Sequence, residues 1–302
     1  MTFIQLNENC YYFDRSVNIG YVRSGNQGML IDTGIDSTSV KQVVKELKAR
    51  DCPLTHLFIT HAHADHYGGA AYLQNQFNVY TIAPPFESAI LQFPMLEPLY
   101  LFSGNDPIPE LRNKFLEGKP VRIDALAYDG KMEIGNFRLD IISLPGHSYN
   151  QAAVKTENVL YAADAYFSED QLKKHKIPYI TDAYQTLQSL RTLLTVECDG
   201  AVPGHGTYES FFEKTVHQNI DYHESLLQHI YEVIDAHPEG VTHEHIVANM
   251  CDHFQVSTPA LSHFLLYKTA VTGYLVGLIK QKRIVHDVEK YRWVFRIIEG
   301  EA

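Results

Sequence analysis

The chain has 302 residues, 45% of them apolar, and a formal net charge of −11. That length suits one large domain plus a small one, and the apolar share supplies a sizeable core. The acidic balance disfavours general nucleic-acid binding, because an acidic protein gains little from neutralising phosphate.

Residues 1–20 contain Asn7, Glu8, Asn9, Asp14 and Arg15 and no long apolar stretch. No later run reaches the ~18 apolar residues of a membrane span. The expectation is a cytoplasmic protein without an export signal or a membrane contact. Cys10, Cys52, Cys198 and Cys251 are scattered without a Cys-x-x-Cys pair. They suggest neither a zinc knuckle nor a disulfide framework.

The first apolar run to end in chemistry is Leu30-Ile31-Asp32-Thr33-Gly34. Val40, Val43, Val44 and Leu47 then recur at helical spacing and predict a helix over 38–50. Leu54 to Thr60 reads as a strand. Directly after its apolar run comes Thr60-His61-Ala62-His63-Ala64-Asp65-His66, three imidazoles and a carboxylate in six residues. Neutral imidazole is the commonest side-chain metal ligand, and carboxylate suits the same cations. Residues 67–76 read as a helix and Val79 to Ala83 as a strand.

Further donors follow at the ends of other strand-like runs. Pro145-Gly146-His147 follows Leu139 to Leu144, Asp164 follows Val159 to Ala163, and Pro203-Gly204-His205-Gly206 follows Ala201-Val202. Strand ends beside tight turns are where α/β scaffolds carry their chemistry. A single stray histidine means little among 16. Seven donors repeating one structural context carry more weight: His61, His63, Asp65, His66, His147, Asp164 and His205.

With these residues in place, about residues 1 to 215 resemble the metallo-β-lactamase-fold hydrolase superfamily, whose signature is His-x-His-x-Asp-His. The resemblance implies an α+β fold, an αββα sandwich with a two-metal site at one end of the sheets. It implies that His61, His63 and His147 hold one cation and that Asp65, His66 and His205 hold a second. Asp164 would bridge them. Asp32 matches a position that supports the ligands from behind, or else it is only a turn residue. Zinc is the first expectation for the metals, with iron or manganese as alternatives. Two such cations about 3.5–4 Å apart share a water and bring its pKa towards neutrality. The resulting hydroxide is the expected nucleophile, with Asp65 able to shuttle the proton, so no Ser or Cys nucleophile is needed.

From His66 to His147 is 81 residues, more than a minimal core needs. The excess lies in 84–120, an apolar stretch punctuated by proline. It is either a helical add-on or a lid whose Phe86, Phe93, Met95 and Tyr100 touch the substrate, and the lid is the expectation. After Asp164, Tyr166 matches a Tyr that assists the carbonyl in lactone- and thioester-cleaving relatives, although Phe167 could take that space. Lys173 and Lys174 suit an anionic substrate tail or simply form a solvated turn. Residues 182–196 form an amphipathic helix with Thr181 as its cap.

From about residue 222 the metal motifs stop, which divides the chain into a catalytic domain, 1–221, and a C-terminal domain, 222–302. Thr242 is expected to cap a helix running to about Phe254. Thr258-Pro259 is expected to open a longer helix to about Lys282, divided or closely packed at Gly273 and Gly277. Two strands follow around Asp287 to Lys290. Three helices and a hairpin resemble a winged helix. Residues 225–302 hold seven Lys or Arg against nine Asp or Glu, Glu299 and Glu301 included. A module that read nucleic acid would show a positive face. The expected role is therefore to cover the catalytic domain or to make a homodimer contact.

The expected function is hydrolysis of a small thioester or lactone with an apolar portion. The alternatives are a phosphodiesterase or endoribonuclease, a persulfide-type iron oxygenase, and a non-catalytic binding module.

Overall fold

The structure, a computed structural model, describes residues 1–298; Glu299 and Glu301 lie outside them. Strands β1 (Thr2–Gln5), β2 (Cys10–Asp14), β3 (Ile19–Ser24), β4 (Gln27–Ile31), β5 (His56–Phe58), β6 (Tyr80–Ala83) and β7 (Ala125–Leu126) form one sheet in sequential order. It is antiparallel up to β4 and parallel from there on. Strands β8 (Gly130–Ile134), β9 (Phe137–Ser143), β10 (Ala152–Thr156), β11 (Val159–Ala163) and β12 (Gly200–Pro203) form a second, ordered β12-β11-β10-β9-β8.

The central strands are apolar on both sides because both sides are covered. In β4, Met29 and Ile31 join the core between the sheets, while Leu30 joins the outer cluster with Val40, Val43 and Leu47. In β11, Val159 and Tyr161 face the inter-sheet core, while Leu160 and Ala162 face Leu187 and Leu190. This alternation produces four layers: helices α1 (Ser37–Ala49) and α3 (Ala70–Phe77), two sheets, then α7 (Ala183–Leu193) and α8 (Glu213–Asp235). Each fully buried aliphatic side chain contributes about 1.5–3 kcal/mol.

Several elements begin or end away from their expected limits, each for a local reason. The strand expected over 54–60 is regular only over β5, and Thr60 turns to meet Asp32. The helix expected over 67–76 is two pieces. A single turn, α2 (Ala64–Tyr67), carries Asp65 and His66, and α3 starts after Gly68 and Gly69. A Cβ at Gly68 would overlap the Ile35 carbonyl, and one at Gly69 would crowd Val40, so the chain passes there only as glycine. Asp182, not Thr181, caps α7 by accepting from the Tyr184 and Gln185 amides; Thr181 donates to the Gly146 carbonyl.

Beyond β12, α8 runs unbroken across position 221/222. Next come β13 (Val241–Thr242), α9 (His243–His253), α10 (Leu261–Lys280), β14 (Ile284–Glu289) and β15 (Arg292–Ile297), the three strands pairing as β13-β15-β14. Thr242 does cap α9, accepting from the His245 amide. Helix α10 starts three residues later than Thr258, with no side-chain cap at Ala260. It passes through Gly273 and Gly277 without a break, and these glycines let it lie against Ile180, Thr181 and Ala183. Lys290 and Tyr291, both at positive φ, form the tight turn between β14 and β15. Leu226, Ile230, Ile246, Leu278 and Phe295 share one apolar cluster with Leu160, Leu187 and Leu190. The C-terminal helices are thus part of the layer that covers the second sheet.

The 84–120 stretch lies between β6 and β7 as α4 (Pro85–Gln92), α5 (Leu96–Leu101) and a 3-10 turn at Pro109–Leu111. Leu101, Leu111 and Leu116 pack against Leu265 of α10. Helix α6 (Glu169–His175) follows the Asp164 loop.

Candidate metal centre

All seven donors come to one end of the two sheets. His61 and His63 follow β5, Asp65 and His66 lie on α2, His147 follows β9, Asp164 follows β11 and His205 follows β12. Three overlapping sets have ligand atoms within 4.8 Å of one another: His61, His63 and His147; His61, His66 and Asp164; Asp65, His66 and His205. Asp164 joins the sets. Its Oδ1 lies 3.4 Å from His66 Nε2. Its Oδ2 lies 3.4 Å from His147 Nε2 and 3.5 Å from His205 Nε2. A Cβ at Gly204 would overlap Asp164 Oδ1, which accounts for the glycine before His205.

The far sides of the imidazoles are tied down. His66 Nδ1 donates to Asp32 Oδ2 at 2.7 Å. Thr60 donates its hydroxyl to the same oxygen at 2.8 Å, so that hydroxyl is free to accept from His61 Nδ1 at 3.0 Å. His147 Nδ1 donates to the Tyr179 carbonyl and His205 Nδ1 to the Ser16 carbonyl. With its Nδ1 proton engaged, each of these four rings turns an Nε2 lone pair inward when neutral. Asp32, itself at positive φ, therefore orients two ligands, one directly and one through Thr60.

Electrostatics split the cluster. Burial, reinforced by neighbouring imidazoles, holds His61 well below the ordinary histidine value and His63 down to about 3. Burial also opposes charge on His66 and His205, but carboxylates led by Asp164 outweigh it, lifting His205 to about 10 and His66 well above its usual range. Against the same burial, the facing imidazoles hold Asp65 down to about 2 and Asp164 well below the carboxylate range. His61 Nε2, His66 Nε2 and Asp164 Oδ1 are buried with no hydrogen-bond partner among the described residues. Inward lone pairs, a buried carboxylate and orphaned ligand atoms together fit a bound divalent cation.

Glu87 on α4 was not anticipated. Its buried carboxylate accepts from the Ala62 amide, the Ser148 hydroxyl and the Asn150 amide, each at 2.8 Å. It thereby ties the loop of His61 and His63 to the loop of His147. Only its place among the apolar residues that open the 84–120 stretch marked it in the sequence.

Over the ligands lies a cavity of about 290 Å³. Glu97, Phe115 and Leu116 of the 84–120 stretch line it, with Phe167, His175, Ile177 and Tyr179, and with His263, Leu266 and Tyr267 of α10. A second cavity of about 230 Å³ adjoins His63 and is lined by Phe86, Ile90, Tyr100 and Tyr149 among others. The substrate-contact expectations distribute unevenly over these spaces. Phe86 and Tyr100 line the second cavity, while Phe93 and Met95 line neither and are exposed. Tyr166 is buried against Phe212 and lines neither cavity. Phe167 instead faces His147 and His205. Lys173 pairs with Glu169 on the surface of α6, and Lys174 is exposed beside it.

This sandwich, with its histidine and aspartate cluster at the strand ends, is a metal-binding fold of the β-lactamase type. The chain belongs to the metallo-beta-lactamase superfamily, whose family model matches residues 12–205. It is 24% identical over 193 residues to a lactamase-like protein of Pestalotiopsis microspora, covering 64% of this chain and 50% of that one. It is 24% identical over 217 residues to the acyl-coenzyme A thioesterase MBLAC2 of Bos taurus, covering 66% of this chain and 76% of that one. The chain thus spans only half the length of the Pestalotiopsis relative. Among solved structures, a metallo-beta-lactamase family protein from Thermus thermophilus superposes with a TM-score of 0.72 at 17% identity, covering 97% of this chain and all of that one. No helix among the described residues is long and apolar enough to cross a membrane.

Proposed function

We propose that the protein is a metal-dependent hydrolase of small carbonyl esters, thioesters or lactones, with two cations held by the seven donors. The observation that carries this reading is the wall of the metal cavity. Among the described residues no Lys or Arg lines it, and apart from the candidate metal ligands most of its groups are apolar or aromatic. A phosphodiester or nucleic-acid substrate carries charge that calls for cationic groups in the groove. An uncharged acyl carbonyl does not, and the apolar cavity beside His63 gives an acyl chain a place to lie.

Bound cations would supply a nucleophile at neutral pH and draw charge from the attacked oxygen. Water adds to the acyl carbon, the bond to sulfur or oxygen breaks, and Asp65, at the cavity edge, accepts the proton that the water gives up. Asp32 and Glu87 keep the ligand loops in register while this happens. The acyl-coenzyme A thioesterase among the relatives supports the thioester class.

The C-terminal elements are of winged-helix type on this reading, and their role is to wall the cavity through α10. Of their small basic patch, Lys280, Lys282 and Arg283, Lys282 is exposed and the other two are engaged. Lys280 pairs with Asp182, while Arg283 donates to Gln228 and lies 4.4 Å over the Tyr231 ring.

The test is a hydrolysis panel with metal-reconstituted protein, offering acyl thioesters, lactones, phosphodiesters and short single-stranded RNA, with His63→Ala as the blank. Thioester or lactone turnover that the blank lacks supports the proposal. Turnover of phosphodiester or RNA alone overturns it.

A further inference from the structure

We propose that Tyr100 and Tyr179 form a gate between the metal cavity and the apolar cavity beside His63, and that this gate sets which acyl chain lengths the protein accepts. The inference rests on the carbonyl-hydrolase reading and names the residues that decide the acyl part of its substrate.

Two segments divide the cavities, and each of them lines both. On α5, Glu97 borders the metal cavity and Tyr100 borders the apolar one. Between α6 and α7, Tyr179 borders the metal cavity and Thr181 borders the apolar one. His63 lines both, so the two spaces adjoin at a candidate ligand. The segments meet where the phenols of Tyr100 and Tyr179 come within hydrogen-bonding reach of each other. An acyl chain with its carbonyl over the ligands and its tail in the apolar cavity has to pass that contact. A two-carbon chain does not reach it.

The two rings are held unequally. Tyr179 is fixed: its ring stands edge-on, 5.3 Å from that of His63 and 6.0 Å from that of His147, and its carbonyl accepts from His147 Nδ1. Tyr100 lies near the end of a six-residue helix and is 41% exposed, so it is the side that moves. When it swings outward, the Tyr179 hydroxyl needs another partner. Glu97 provides one. Its Oε2 is buried with no partner among the described residues, and its carboxyl is close enough to bear on both phenols. A carboxyl oxygen accepts from a phenol whether the acid is ionised or neutral. Opening therefore exchanges one hydrogen bond for another, and the apolar surface that a long chain buries in the second cavity favours the open form. This also gives the Glu97 carboxyl a purpose that the resting contacts do not. Glu87, ten residues earlier, is already engaged by three donors.

The experiment uses the full metal-loaded chain and the N-acetylcysteamine thioesters of acetate and octanoate, read as the octanoyl-to-acetyl ratio of kcat/KM. Tyr100→Phe keeps the ring and removes the link, and the ratio should rise about three- to tenfold, the scale of one net hydrogen bond. Glu97→Met strands the Tyr179 hydroxyl in the open form, and the ratio should fall about fivefold or more. Glu97→Gln retains an acceptor and should hold the ratio near that of the parent. In a Tyr179→Phe background there is no hydroxyl to strand, so adding Glu97→Met should leave the ratio where it was. A ratio unchanged or lowered in Tyr100→Phe, or a Glu97→Met effect equally large with and without the Tyr179 hydroxyl, overturns the inference. Calorimetric titration with acetate and octanoate separates the two proposals. If no thioester turns over but the relative affinity for octanoate follows the same variants, the hydrolase reading fails and the gate stands. If thioesters turn over and the ratio ignores the variants, the gate falls and the hydrolase reading stands.

Discussion

The ligand cluster and the wall that faces it are built in opposite ways. Every ligand stands at or just after a strand end or on the first turn after one, and four of the five imidazoles are fixed from behind by one hydrogen bond. The wall is assembled from the Asp164 loop together with α5, the segment after the 3-10 turn and α10, the last three of which meet through Leu101, Leu111, Leu116 and Leu265. On the proposed reading the first region sets what chemistry is available and the second sets what reaches it. Substitutions should divide in the same way, with turnover lost from the cluster and preference changed from the wall.

The largest expected effect is at the joining ligand. Asp164→Ala should lower turnover roughly a thousandfold or more, on the scale of losing a transition-state charge stabiliser. Bound metal should fall with it, while the far-ultraviolet circular dichroism stays that of the parent. Assay and metal analysis of one preparation check this, and normal metal content would place Asp164 outside the ligand set. One step back, Asp32→Asn keeps the shape but weakens its hold on His66 and Thr60. Metal affinity, read by chelator competition, should fall about 10–100-fold. Turnover in excess metal should recover much of the parent value, which Asp164→Ala cannot do.

A smaller effect concerns stability on the wall side. Glu97 has a raised pKa in the folded chain, so folding takes up a proton there above the ordinary carboxylate range. Its stabilising contribution is complete below that range and is lost as pH rises towards the raised value. Glu97→Gln does not titrate. The melting temperature of the variant relative to the parent should therefore climb from pH 5 to pH 8. Glu87, also raised by burial, and the neighbouring Asp65, Tyr67, Tyr100 and Tyr179 are common to both proteins and cancel. A difference that stays flat over that interval would mean that Glu97 is ionised in the fold.

The same division explains how much of the molecule was legible in the sequence. That the seven donors would come together could be read because they recur at the ends of short apolar runs, a local pattern. Helix α1 could be read from its spacing of valine and leucine. Glu87 and Glu97 could not, because what sets their surroundings is which distant groups come near them: three donors for one and the wall of the metal cavity for the other. Tyr166 and Phe167 illustrate the limit at single-residue scale. They are adjacent, and which of them faces the metal ligands depends on the turn after Ala163 at positive φ and on Asn219 of α8, which holds both the Phe167 amide and its carbonyl. Similarly, the change expected at residue 222 reflects where the motifs stop, while the apolar face of α8 continues through it.

The smallest expected effect separates two aromatics that look equivalent in sequence. Phe86 and Phe93 both lie on the 84–120 stretch and both are substantially exposed, but only Phe86 borders the cavity beside His63, where its ring lies 4.4 Å from that of Tyr149. Phe86→Ala removes one wall of the space proposed for the acyl chain. An apolar pocket discriminates by roughly tenfold or a little more for each methylene it recognises. Rates measured over thioesters from two to eight carbons should therefore lose part of their slope with chain length. Phe93→Ala removes a ring that lines neither cavity, and its rates should stay within about twofold of the parent at every length. If Phe93→Ala flattens the profile and Phe86→Ala does not, the chain lies across the outer face of α4 and α5, and the cavity beside His63 is not the acyl site.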